Sequence, residues 1–157
     1  MSSSASHVRF ALTMSESPLL LDGAVRRTGR VVENLLTNAV KYSPDGGPVE
    51  VSVAEDGGFA VVVVADCGIG IPSAGRDRIF ELGYRTDDAA AVASGLGLGL
   101  YIASAILRRH GGRLDATERA SGGSVFTLRL PLVGTTRATV AGSNKGQSQR
   151  SSYEYAS

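Results

Sequence analysis

The stretch GRVVENLLTNAVKYSP, residues 29–44, decides how the rest of the chain is read. At about 100° per residue, Val31, Val32, Leu35, Leu36, Ala39 and Val40 fall on one broad arc, the apolar face of a core helix. Asn34, Asn38 and Lys41 form a separate stripe, and Tyr42 lies at the border between the two. Pro44 closes the helix, because its ring disfavours helical dihedrals in the residue before it; the spacing predicts a helix over 24–43. A polar stripe can simply face solvent. Asparagine, however, is a poor residue inside a helix, so two of them one turn apart call for another reason. Lysine occurs only at positions 41 and 145. A compact ammonium there suits a phosphate, and an asparagine amide oxygen is a hard ligand suited to Mg2+.

Outward from this helix, the flanking segments read as strands. VRFALTM (8–14) alternates with period two. PVEVSVAE (48–55) follows a DGG turn, and a second DGG at 56–58 makes a hairpin into FAVVVVADC (59–67), an apolar run suited to a central strand. SAGRDRIFEL (73–82) reads as a short helix. Residues 84–94, YRTDDAAAVAS, have no periodicity and read as a mobile loop. A helix is predicted from 98 to 109, with a basic last turn and a Gly-Gly stop. RLDATER and SVFTLRLPL, joined by ASGG, make a final hairpin. Residues 1–7 read as a flexible lead and 134–157 as a disordered polar tail, leaving one domain over 8–133. The element order predicts an α+β fold, a mostly antiparallel mixed sheet with helices on one face.

The 157 residues suffice for one domain with a real core. Apolar residues at 43%, charged residues at 20% and a net charge of +1 give no reason to expect nucleic acid or an anionic membrane as partner. No apolar run reaches the length of a membrane span, and the N-terminus lacks a secretory h-region. Cys67 is the sole cysteine, so an internal disulfide is impossible and a reducing, cytoplasmic setting is expected; it reads as a small buried residue. His7 and His110 are isolated, which leaves no Cys/His metal cluster.

Two further motifs carry potential chemistry. In VVVVADCGIGIP (61–72), Asp66 ends the buried strand, ahead of Gly68 and Gly70. A carboxylate there accepts a hydrogen bond from a donor such as the exocyclic amine of adenine, and the glycines let a flat ring lie against the main chain; an ordinary strand-end turn is the other reading. In GLGLGLYIASAILRRHGG (95–112), three glycines open a helix. It is neither a Walker loop nor a dinucleotide fingerprint, since no Lys-Ser/Thr follows and no strand precedes it. The glycines serve either tight packing or an anion that approaches bare N–H groups.

Taken in order, these motifs resemble the catalytic, ATP-binding domain of sensor histidine kinases within the wider GHKL ATPase family. ENLLTNAVKYSP (33–44) is similar to the N box, DCGIGIP (66–72) to the G1 box, RIFELGYR (78–85) to the F box and GLGLGLYIA (95–103) to the G2 box. HGGRLDATERASGGSVFTLRLP (110–131) resembles the closing segment. The resemblance covers about 8–132 and implies a two-layer α/β sandwich that binds ATP and Mg2+. It implies that Asn38 coordinates Mg2+ with Asn34 in support, that Lys41 and Arg85 meet the phosphates, and that Tyr42 lies beside the nucleotide ring. Asp66 would read the adenine amine in a pocket shaped by Gly68, Gly70 and Ile71. Phe80 would anchor a lid spanning 84–94, and Gly95, Gly97, Leu98, Gly99 and Leu100 would form the phosphate-facing helix mouth. Asn34, Lys41 and Arg85 would be the catalytic set.

The implied activity is transfer of the γ-phosphate to a histidine on a separate dimerisation domain, and indirectly to a response regulator. Such domains also occur within membrane-anchored parents. Neither His7 nor His110 stands in the His–acidic–apolar–Arg context of a phosphoacceptor, so the chain reads as the catalytic domain without it. Hydrolytic relatives, and the related serine kinases, carry a glutamate where this chain has Asn34; Glu33 is the neighbour, about 100° around the helix. An ATP hydrolase or serine kinase using Glu33, and a non-catalytic nucleotide-sensing module, are the alternatives.

Overall fold

The computed structural model describes residues 7–16, 19, 21, 25–133 and 150–153. Strand β1 (Val8–Met14) leads to helix α1 (Val25–Lys41), then to β2 (Gly47–Asp56) and β3 (Phe59–Ala65). A 3-10 turn (Ser73–Gly75), α2 (Asp87–Val92) and α3 (Gly99–Arg109) follow, before β4 (Arg113–Glu118), β5 (Ser124–Pro131) and β6 (Arg150–Tyr153). The strands form one sheet in the order β4-β5-β3-β2-β1-β6. Only β1 and β2 run parallel; every other neighbouring pair is antiparallel. A hairpin cannot join parallel strands, and α1 makes the crossover. The expected α+β fold with a mostly antiparallel mixed sheet is the observed one.

The pleat explains which side chains meet α1 and α3. Ala116, Phe126, Val64, Val51 and Leu12 stand in register across five strands; the first four belong to one core cluster and Leu12 packs against it. Val31, Leu35 and Ala39 of α1 and Ala103 and Leu107 of α3 cover that face and are fully buried. They recur every four residues, so one helix stripe is enough to seal the layer. Val40, read as part of the apolar arc, is instead 45% exposed, at the stripe's outer limit.

Helix α3 ends as its sequence asks. Gly111 adopts φ +71°, Gly112 donates to the Leu107 carbonyl at 2.8 Å and Gly111 to the Arg108 carbonyl at 3.2 Å. This is a Schellman termination, which satisfies carbonyls the helix leaves open.

Three segments depart from the sequence reading. The helix expected over 73–82 is a single 3-10 turn followed by irregular turns. Its apolar residues do not form a helical stripe: Ile79 is buried and Phe80 packs on the core, while Leu82 is 65% exposed. The loop 84–94 contains α2, opened by Thr86, whose side chain accepts from the Ala89 N–H, and by acidic Asp87 and Asp88 in the first turn. The third departure lies at the sheet edge, where residues 150–153 of the polar tail pair with β1. The rest of that tail and residues 1–6 of the lead lie outside the described residues.

Candidate functional site

The C-terminal half of α1, the end of β3, the segment 84–100 and the start of β5 surround one cavity of about 410 Å3, the size of a small-molecule site. Asn34, Thr37, Asn38, Lys41 and Tyr42 form the α1 wall. Asp66, Gly70 and Ile71 form the β3 end, and Gly95, Leu96, Gly97, Leu98, Gly99 and Leu100 the helix mouth. The three sequence motifs therefore meet in one place. Two expected residues stand behind the wall. Gly68 passes so close to the Tyr42 carbonyl that any Cβ would collide with it, and Phe80 packs against the core.

Asp66 is 3% exposed. Its Oδ1 accepts from the main-chain N–H of Gly68 at 2.9 Å and of Ser124 at 3.0 Å. Both bonds go to one oxygen, and Asp66 lines the cavity. Burial raises the carboxyl above its ordinary 3.8; the Gly68 and Ser124 N–H groups and the Arg119 guanidinium oppose that shift.

On the α1 wall, Asn34 Nδ2 is buried without a hydrogen-bond partner. Gly99 approaches the same amide, and a Cβ there would stand 2.6 Å from Asn34 Oδ1. Lys41 Nζ lies 5.4 Å from the Tyr42 ring centre, and a Cβ at Gly95 would stand 2.7 Å from it. The glycines thus leave room for an amide and an ammonium at the mouth of α3. Helix α3 has no acidic residue in its first turn and Leu98, its N-cap, makes no side-chain cap, so the N–H groups there have no carboxylate competitor.

Arg85 lines the cavity, but its guanidinium is bonded to the main chain of residues 89–95. It donates to the carbonyls of Gly95 at 2.9 Å and Ala89 at 2.8 Å, and also to that of Ala93. Its Nε is buried and unpaired. Arg85, expected to meet the phosphates, is thus placed at the cavity wall with its guanidinium on these three carbonyls. Glu33 is exposed on α1 and does not line the cavity; neither do His7 and His110.

Sequence reading missed several wall residues. Ser124 acts through its main chain, which no sequence pattern announces. Thr37, Ile69, Ile79 and Phe126 also line the cavity, and Tyr84, Thr86 and Ala89 do so from within the segment expected to be the lid. Thr86 carried a signal, a threonine followed by two aspartates, which marks a helix start. Cys67, expected to be buried, is exposed, with Arg119 Nη1 at 3.2 Å from its sulfur.

Among the described residues, no three His, Cys, Asp or Glu side chains cluster as a metal site, and no helix is long and apolar enough to cross a membrane. Residues 23–134 match the family described as histidine kinase-, DNA gyrase B-, and HSP90-like ATPase. The chain is 34% identical over 129 residues to the sensor histidine kinase RppB of Synechocystis sp., covering 82% of this chain and 28% of RppB. Its fold is similar to that of the mycobacterial sensor histidine kinase MprB, with TM-score 0.69 and 35% identity over 80% of this chain and 82% of that one. It is also similar to full-length ShkA in complex with AMPPNP, with TM-score 0.68 and 30% identity over 80% of this chain and 26% of ShkA. The chain spans under a third of the length of the curated relatives it matches.

Proposed function

Because the chain belongs to the histidine kinase-, DNA gyrase B-, and HSP90-like ATPase family, we propose that it binds magnesium–ATP in this cavity and delivers the γ-phosphate to a histidine on a dimerisation domain. One observation carries the reading: a carboxylate, an amide pair, an ammonium and a bare helix mouth converge on one space. The resemblance to ShkA, whose structure holds AMPPNP, supports an adenine nucleotide as the occupant.

Asp66 accepts the adenine amine through Oδ2, since Oδ1 already takes two N–H donors. Gly70, Ile71 and Tyr42 border the base, with Gly68 shaping the turn behind it. Lys41 and the N–H groups of residues 95–100 receive the phosphates, where the positive helix end favours negative charge. The unpaired Asn34 amide beside Asn38 fits a magnesium–phosphate complex, because Mg2+ keeps waters and phosphate oxygens and needs few protein ligands. Asn38 would hold the ion, with Asn34 in support; when bound, the ion neutralises charge on the phosphate oxygens.

Transfer to a histidine needs little from this chain beyond positioning. The imidazole nitrogen forms a bond to the γ-phosphorus as the bond to the bridging oxygen breaks, and ADP leaves. Hydrolysis needs a base to orient water, and exposed Glu33, outside the cavity, is badly sited for that. A response regulator is the indirect partner.

The test is incubation with γ-labelled ATP and Mg2+, alone and with an added histidine-bearing dimerisation domain. Label on the added domain is the expected result. Phosphate release without transfer identifies an ATPase, and binding with neither identifies a nucleotide sensor; either one overturns the kinase reading.

A further inference from the structure

The turn between β4 and β5 is docked on the end of β3 by more than the Asp66 carboxylate. Asp66 donates its main-chain N–H to the Ser124 carbonyl at 2.9 Å. Gly123, at φ +101°, lies so close to Asp66 and Cys67 that a Cβ would collide with their main chain. Arg119, at the start of this turn, then reaches over the junction. Its Nη1 donates to the Asp66 carbonyl at 3.4 Å and lies 3.2 Å from Cys67 Sγ, while Nη2 meets Glu50 Oε1 at 3.0 Å. Glu50 sits on β2 opposite Ala65, the last residue of β3. One guanidinium therefore bridges the β4–β5 turn, the end of β3 and Glu50 of β2, around the residue whose carboxylate lines the cavity. Arg119 itself does not line the cavity.

We infer that Arg119 is a positioning residue for base selection, clamping the Asp66–Cys67 main chain between the β4–β5 turn and Glu50 so that Oδ2 of Asp66 is held toward the purine 6-position. The inference rests on the reading of Asp66 as the adenine acceptor. A rigid fork with several fixed donors is suited to bridging three groups at once, which a lysine cannot do. Glu50, at the far end of the pair, is 56% exposed, so solvent screens the ion pair and its contribution to global stability is small. Its effect falls on the geometry of the Asp66–Cys67 main chain, which Arg119 Nη1 contacts directly.

The test is calorimetric titration of the intact chain with magnesium–ATP and with magnesium–ITP, which differs by a 6-oxo group in place of the amine. Wild type is expected to prefer ATP. Arg119→Ala is expected to lose about fivefold to tenfold in ATP affinity with ITP affinity nearly unchanged, so that the ratio narrows. Its melting temperature should stay within about 3 °C of wild type. Glu50→Gln, which frees the far end of the bridge, should narrow the ratio in the same direction, and it serves as the readout should Arg119→Ala fail to fold. An unchanged ratio in a wild-type-like background overturns the inference alone, as does an equal loss for both nucleotides, which identifies a purely structural clamp. A wild type that binds ATP and ITP equally overturns the reading of Asp66, and the inference with it.

Discussion

Ser124 donates its main-chain N–H to Oδ1 of Asp66 over 3.0 Å, joining residues 58 positions apart in the chain. With Gly68 on the same oxygen, the carboxylate has one oxygen engaged inward. An asparagine at 66 has to turn its amide oxygen toward these two donors, which leaves its NH2 at the Oδ2 position. Two donors then face each other if the ligand is adenine. Asp66→Asn is expected to weaken ATP binding by on the order of tenfold or more and to favour a 6-oxo purine, with an unchanged circular dichroism spectrum. Undiminished ATP binding in a titration removes Asp66 from the site.

The same carboxyl gives a pH signature. Burial raises its pKa above 3.8, so the ionised form is disfavoured in the folded state. Its contribution to stability is full below 3.8 and is lost as pH rises through the raised value. Binding of adenine has the opposite sign, because the ionised oxygen is the stronger acceptor. ATP affinity is expected to rise with pH across this window, with a step that Asp66→Asn lacks. Parallel titrations of the two proteins between pH 4 and 7 check it; identical profiles refute the assignment.

Gly99 separates stability from binding. A methyl at this position meets the Asn34 amide at 2.6 Å, and that amide is a side-chain end that can swing aside. Alanine also favours a helix over glycine, by about 1 kcal/mol in a helix interior and by less at this first position. Gly99→Ala is therefore expected to melt at or slightly above the wild-type temperature while binding magnesium–ATP at least several-fold more weakly. Equal affinity in both proteins would mean that the Asn34 amide takes no part.

The strand 8–14 was legible to the residue, and the long helix to within two residues at each end, because period-two and four-residue apolar spacing are direct images of burial. The convergence of Asn34, Asp66 and Gly99 was legible only through the order of the motifs, since nothing local says that α1 lies against α3. What was not legible has a common cause. Ser124 and Gly123 act through main-chain atoms, and Arg119 through a reach across strands distant in sequence. The 3-10 turn at 73–75 and helix α2 are short segments with little buried apolar surface, so their form follows from contacts such as the Thr86 cap and not from periodicity. The pairing of 150–153 with β1 is likewise invisible in a polar sequence.

Asn38 and Asn34 predict a metal-dependent binding defect. If these amides serve the magnesium complex, chelating Mg2+ lowers the affinity of the wild type for ATP. Asn38→Ala is expected to bind ATP about as weakly with Mg2+ as without it, the amide being one of the few protein ligands such an ion takes. Asn38→Asp places a carboxylate among the phosphates and is expected to weaken ATP binding in the absence of metal. Fluorescence titrations with and without EDTA distinguish these outcomes; a metal effect of equal size in Asn38→Ala and wild type would assign the ion elsewhere.

Arg85 ties the segment 85–95 together, through the carbonyls of Ala89 and Gly95 and that of Ala93. Helix α2 has six residues and none of them buried, so these bonds and the Thr86 cap are what organise it. Removing the guanidinium should free the segment without touching the sheet. Arg85→Ala is expected to speed amide exchange at 86–95 by about tenfold, with exchange in β3 and β5 unchanged. Saturating ATP in the wild type offers the guanidinium a phosphate in place of neutral carbonyls, a stronger class of hydrogen bond, and is expected to change exchange at the same amides. In Arg85→Ala that ATP-dependent change should shrink. Lid amides that exchange alike in the variant and the wild type would show that Arg85 neither holds the lid nor responds to the nucleotide.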